Sequence, residues 1–302
     1  MIRYLVLLAG WFGSGSGVGS NPARDSVWYA LPPGFDQSKP DSILGLVEQA
    51  PLWFDGIYLF GDSDCDTGNL FKLTKNTDPD PKAYWNGRFS NGPMWPDYLQ
   101  ARHKLNVRNY AYGGAVVDRK NTVVLDVPDF QKQLATHKAS PALDCKKPLV
   151  FIQFVGNDLL NKTVTPDQLA SEIGTMLQKI IDAGELKDFF IMLSPIAAYD
   201  TQGLNTALVS MTDALAATNK DTAQIKTLSM MDLYSSMSTV APVTANPSIW
   251  SVTEDYCYNR DSKETCSDPE NHFRFDMFHP STVPNYNTAM YISDAIARFW
   301  PL

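Results

Sequence analysis

The chain has 302 residues, enough for one large α/β domain with its own core. Hydrophobic residues at 44% and charged residues at 19% exclude a disordered or fibrous chain. Its 33 acidic residues outweigh 25 basic ones for a formal net charge of −8, and no basic cluster offsets them; this argues against nucleic acid as a partner and against strong electrostatic attachment to anionic lipid.

Met1-Ile2-Arg3, the apolar run Tyr4 to Phe12 and the small-residue stretch after it predict a secretory signal peptide over residues 1–20. The run is too short to span a bilayer, and no other stretch approaches about 18 consecutive apolar residues. Residues 21–54 carry Asn21-Pro22, Pro32-Pro33-Gly34 and Lys39-Pro40 with little apolar periodicity, and predict an extended segment over the surface of a domain spanning 55–302. Ile57 to Phe60 is a short apolar run ending at Gly61, which predicts a buried strand delivering Ser63 to its C-terminal edge. A helix is expected from Pro93 to Leu105. Further buried strands are expected at 149–155, 189–193 and 225–231. Leu169, Ile173, Met176, Leu177, Ile180 and Ile181 recur at helical spacing behind Pro166-Asp167, predicting an amphipathic helix over 166–183. Residues 204–219 and 285–299 predict two more helices. Alternation of strand and helix implies a parallel sheet covered on both faces, with the binding crevice at the carboxyl ends of its strands.

Cys257 and Cys266 enclose eight polar residues with no metal-ligand partners at suitable spacing, so a local disulfide is expected rather than a zinc site. Cys65 and Cys145 stay unassigned, because pairing depends on geometry. The alternation Asp62, Asp64, Asp66 falls short of a calcium loop: Thr67 stands where the glycine belongs and Leu73 where the glutamate belongs. Asp66 is read instead as bracing the Ser63 loop. H-E-x-x-H, P-loop and G-x-G-x-x-G patterns are missing, so no metal or cofactor is expected, and without G-x-S-x-G there is no nucleophile elbow.

Four ordered blocks carry the chemistry. Phe60 to Asn69 reads FGDSDCDTGN, Asn109 to Ala115 reads NYAYGGA, Phe154 to Leu160 reads FVGNDLL, and Asp276 to Pro280 reads DMFHP. A serine hydroxyl needs a base within hydrogen-bond reach and a third group to orient that base. In this order the blocks resemble the GDSL, or SGNH, hydrolases, and the resemblance runs from about residue 55 to the end. The run Arg88 to Leu99 is similar to the branch holding bacterial secreted lysophospholipases and glycerophospholipid:cholesterol acyltransferases.

That resemblance implies a three-layer α/β/α sandwich around a mostly parallel sheet. It implies Ser63 as nucleophile, His279 as base and Asp276 as its orienting acid. The oxyanion hole would comprise the Ser63 backbone N–H, a glycine N–H of the second block and the Asn157 amide. Counting residues onto the family pattern favours Gly114, with Gly113 as the alternative. The implied reaction is hydrolysis of lipid carboxylic esters of lysophospholipase A or phospholipase A type, by an exported enzyme acting on substrate that can sit at a membrane surface. Acyl transfer to an alcohol such as a sterol, short-chain or carbohydrate esterase activity, and a lipid-binding module with a vestigial site are the alternatives. Phe71, Tyr84, Trp85, Phe89, Met94, Trp95 and Phe278 are expected around the rim, although Trp95 and Phe278 suit the core equally. His103 and His137 are read as solvated. His272 is not read as the base, since Pro269 stands three residues before it. No oligomeric state follows from the sequence.

Overall fold

The computed structural model describes Tyr29 and residues 31–121, 126–154, 156–160, 164–193, 201–229 and 252–302. The expected signal peptide, Val155 of the third block, and Met230 and Met231 of the last expected strand lie outside the described residues.

Five strands, β1 (Gly56–Gly61), β2 (Asn106–Asn109), β3 (Pro148–Gln153), β4 (Asp188–Leu193) and β5 (Gln224–Ser229), form one sheet in the order β2-β1-β3-β4-β5. Every pairing in it is parallel. The apolar runs expected to be strands are central because both of their faces are buried. Tyr58, Phe60, Val150, Ile152, Phe189 and Ile191 point into one core, and Ile57, Leu59, Leu149, Phe151, Phe190 and Met192 into the other.

The first core is covered by α4 (Phe130–Ala139), α6 (Pro166–Asp182) and α7 (Thr201–Thr218). Thr165 and Gln168 cap the α6 N-terminus reciprocally, and Pro166 occupies its first turn. The second core lies under α3 (Trp95–His103) and α8 (Thr282–Phe299), and Ile43, Val47 and Phe54 from the segment ahead of β1 belong to it. That segment also holds a short helix, α1 (Pro40–Ile43). Two short helices, α2 (Asn69–Leu73) and α5 (Asn157–Leu160), begin inside the first and third sequence blocks. A single fully buried Leu or Ile contributes about 1.5–3 kcal/mol, so the two apolar layers on either side of the sheet dominate stability. The result is a three-layer α/β/α sandwich.

The strand β2 had no signal in the sequence. Asn106-Val107-Arg108-Asn109 is polar because it is an edge strand, held by backbone pairing with Gly56 to Leu59 rather than by buried side chains. Outside the main sheet, β6 (Val252–Tyr256) pairs with β9 (His272–Arg274), and β7 (Tyr258–Asn259) forms a hairpin with β8 (Glu264–Thr265). The Cys257–Cys266 disulfide closes that hairpin. Cys65 and Cys145 are free thiols.

Two readings of histidines are corrected. His103 is half-buried rather than solvated, with Nδ1 against the Ala50 carbonyl at 2.8 Å and Nε2 against Ser293 Oγ at 2.9 Å. His137 lies edge-on against Tyr58, Phe60 and Tyr110. Burial lowers the pKa of both imidazoles and keeps them neutral. Both sit on helices that pack onto the sheet, a tertiary fact that local polarity does not report.

Candidate active site

β1 ends at Gly61, where any side chain would collide with the sheet: a Cβ there would lie 2.2 Å from the Gln153 carbonyl oxygen. Beyond it the Asp62 carbonyl accepts the N–H groups of Cys65 (3.3 Å) and Asp66 (3.1 Å), turning the chain sharply and presenting Ser63 at the carboxyl edge of the sheet. The buried Asp66 carboxylate accepts from the backbone N–H groups of Gly68, Asn69, Leu70 and Gly113 at 2.6–3.0 Å. It therefore braces the Ser63 loop, as expected, and also ties the first block to the second. Asn69 donates to the carbonyls of Asn109 and Ala111, and Asn109 donates back to the Cys65 carbonyl.

The last block folds into a turn in which Asp276 Oδ1 accepts the backbone N–H groups of Phe278 and His279, each at 2.8 Å. The same carboxylate meets His279 Nδ1 at 2.8 Å, and His279 Nε2 lies 2.8 Å from Ser63 Oγ. Residues 213 apart in sequence, Ser63 and Asp276, thus flank one imidazole. The run Arg88 to Leu99 holds this turn in place. Ser90 Oγ donates to the Pro280 carbonyl, Asn91 Oδ1 accepts from Thr282 N–H, and the Phe89 ring lies 4.8 Å from the imidazole.

Electrostatics favour an ionised Asp276 beside an imidazole made more basic by it. Burial alone would raise the Asp276 pKa, but the His279 charge and the hydrogen bonds it receives, including one from the Tyr84 hydroxyl, hold it at about 2. Burial would lower the His279 pKa, and the adjacent Asp276 carboxylate reverses that and raises it.

The structure separates the two glycines of the second block. Gly113 N–H is held by Asp66 Oδ2 at 2.8 Å, whereas among the described residues nothing accepts the Gly114 N–H. Gly114 adopts φ 75°, a left-handed conformation natural to glycine. Asn157 Nδ2 donates to the Ala115 carbonyl at 2.9 Å and makes only a 3.5 Å contact with Asp62 Oδ2. Its neighbour Asp158, buried and accepting from Val117 N–H and Asn121, anchors the third block to the second; burial raises its pKa to about 6.

Ser63, His279, Gly114 and Asn157 line one cavity of about 220 Å³, with Leu70, Phe89, Leu160 and Phe278 as its apolar wall. The expected rim is corrected in part. Tyr84, Met94 and Trp95 are core residues, and Phe71 and Trp85 do not line the cavity. Leu70 and Leu160 carried no sequence signal as wall residues, since only the packing of α2 and α5 brings them there.

His272 lies away from Ser63, beside the disulfide, with Nδ1 3.1 Å from the Asp268 carbonyl. Cys257, Cys266 and His272 gather within 4.8 Å, but the two sulfurs are joined to each other and cannot act as thiolate ligands.

Residues 57–292 match the model of the GDSL-like Lipase/Acylhydrolase family. The chain belongs to this family of ester-hydrolysing enzymes. It is 28% identical over 148 residues to a thermolabile hemolysin of Vibrio parahaemolyticus, covering 49% of this chain and 35% of that one. It is 24% identical over 296 residues to a GDSL esterase/lipase of Arabidopsis thaliana, covering 74% and 83%. It is 37% identical over 71 residues to a phosphatidylcholine-sterol acyltransferase of Aeromonas hydrophila, covering 23% and 21%. The chain thus spans about a third of the hemolysin's length and about a fifth of the acyltransferase's. A solved member of the lipolytic G-D-S-L family from Veillonella parvula superposes with a TM-score of 0.47 at 14% identity, over 80% of this chain and 98% of that one.

Proposed function

We propose that this GDSL-family chain hydrolyses carboxylic esters of lipids, as a lysophospholipase A or phospholipase A, through an acyl-Ser63 intermediate. Ser63 Oγ attacks the ester carbonyl while His279 Nε2 takes its proton, and Asp276 steadies the imidazolium. The oxyanion of the tetrahedral intermediate is received by the backbone N–H groups of Ser63 and Gly114 and by the second amide hydrogen of Asn157, each donor lowering the barrier by about 3–4 kcal/mol. His279 then returns the proton to the leaving alcohol, and water repeats the sequence on the acyl-enzyme.

The observation that carries the lipid reading is the wall of Leu70, Phe89, Leu160 and Phe278 around the nucleophile. An acyl chain laid on it gains about 0.8 kcal/mol per buried methylene, so kcat/KM should climb steeply from acetyl to decanoyl esters. A preference for acetyl esters, measured below aggregation concentrations, overturns the lipid assignment and leaves the esterase chemistry standing. The name of the Aeromonas relative favours a second reading, transfer of the acyl group to a sterol-like alcohol; product partition between water and an added alcohol decides between them. The apolar leader over residues 1–20 and the Cys257–Cys266 disulfide support export.

A further inference from the structure

One feature of the cavity plays no part in the ester chemistry. Arg260 and Asp78 both line it, and Arg260 is its one Lys or Arg among the described residues. They pair through Arg260 Nη2 and Asp78 Oδ1 at 3.3 Å, with side chains 40% and 37% exposed. A single long contact at that exposure contributes little stability, so the pair is not explained as a structural brace.

Both groups are nevertheless held in place by their backbones. Arg260 sits at the tip of the disulfide-closed hairpin, directly after β7. Asn259 Oδ1 accepts the N–H groups of Asp261 and Ser262 in that turn. The guanidinium lies 5.8 Å from the Tyr84 ring, the ring whose hydroxyl donates to Asp276, and its charge is felt at His279. Asp78 is fixed by Thr74, whose Oγ1 accepts the Asp78 N–H and donates to the Asp78 carbonyl. A cation and an anion are therefore pre-positioned side by side at the wall of the cavity that holds the nucleophile.

We infer that Arg260 and Asp78 form a headgroup subsite for a zwitterionic phosphodiester, the guanidinium taking the phosphate and the carboxylate taking the ammonium. The inference rests on the lipid-ester reading above and names the substrate's polar half. A phosphocholine or phosphoethanolamine group carries the same two charges a few bonds apart in opposite order, so one weak internal contact is exchanged for charge-assisted hydrogen bonds from Arg260 to the phosphate and an ion pair between Asp78 and the ammonium. Arginine suits the phosphate because its planar fork presents paired donors. Asp78, and Asp80 just beyond it on the same segment, would repel a purely anionic headgroup, which is why the subsite selects a zwitterion over an anionic lipid.

The test compares chain-matched esters: decanoyl lysophosphatidylcholine, decanoyl lysophosphatidylglycerol and 1-decanoylglycerol. Arg260→Gln is expected to lower kcat/KM on lysophosphatidylcholine about 10- to 100-fold more than on the neutral glyceride, with Arg260→Lys in between. Asp78→Asn is expected to move the two phospholipids in opposite directions, lowering kcat/KM on the zwitterion and raising it on the anionic lipid. Equal losses on the glyceride and the phospholipid in Arg260→Gln, or same-direction changes in Asp78→Asn, overturn the inference alone. A wild-type enzyme that is labelled by a fluorophosphonate but turns over none of the three esters overturns the lipid reading and this inference with it.

Discussion

Replacing Asp64 by Asn should change stability in a pH-dependent way. Asp64 follows Ser63 directly and is 5% exposed, yet among the described residues neither of its carboxylate oxygens has a hydrogen-bond partner. Burial raises its pKa to about 6; the nearby His279 pulls it down and Asp276 pushes it up. A carboxyl whose folded pKa lies above its ordinary 3.8 binds more protons folded than unfolded, so stability falls as pH rises from about 4 to about 6 and then levels off. The gap between 3.8 and about 6 corresponds to a cost of about 3 kcal/mol above pH 6. Asn carries no charge and escapes that cost, whereas any penalty for burying its amide is the same at every pH. Urea unfolding of both proteins, followed by tryptophan fluorescence from about pH 4 to about pH 7.5, should show the variant gaining on the wild type by roughly 2 kcal/mol across that interval, since part of the cost is already present at pH 4. Titration of Asp158, whose pKa is raised to the same region, is common to both proteins and cancels in the difference. A stability difference independent of pH would refute the reasoning. Because an ionised Asp64 also raises the His279 pKa, the acid limb of the kcat/KM profile should move to lower pH in the variant.

Tyr84→Phe should do the reverse to that limb. Without the Tyr84 hydroxyl the full Asp276 charge acts on the imidazole, so the limb shifts to higher pH and kcat falls about tenfold with KM little changed; an unmoved limb sinks this role. Ser63→Ala and His279→Ala should each lower ester turnover at least about a thousandfold in a folded protein, while His272→Ala keeps it, as read by initial rates on an aryl ester. Comparable turnover in a folded Ser63→Ala variant removes the nucleophile assignment.

How far the sequence reached depended on whether a residue's role was carried by its neighbours in the chain. β1, β3, β4 and α6 were readable because an apolar run or an apolar stripe is a local pattern whose only stable outcome is burial. The Asp276/His279 turn was readable for the same reason, since three residues of separation suffice to bring a carboxylate to an imidazole. The Cys257–Cys266 bond was likewise local.

Tertiary structure alone decided the rest. It tied up the Gly113 N–H, which Asp66 captures from a loop 47 residues away, and that capture is what favours Gly114 as the proposed donor. It made β2 a strand through pairing with β1, put Tyr84 behind Asp276 rather than on the rim, and recruited Leu70 and Leu160 to the cavity wall. It also left the Asp64 carboxylate buried beside Ser63 with no hydrogen-bond partner among the described residues. Burial and hydrogen-bond partnership are properties of what surrounds a residue. In a parallel sheet, whose neighbouring strands are dozens of residues apart, those surroundings come from distant parts of the chain and are set only when the layers close.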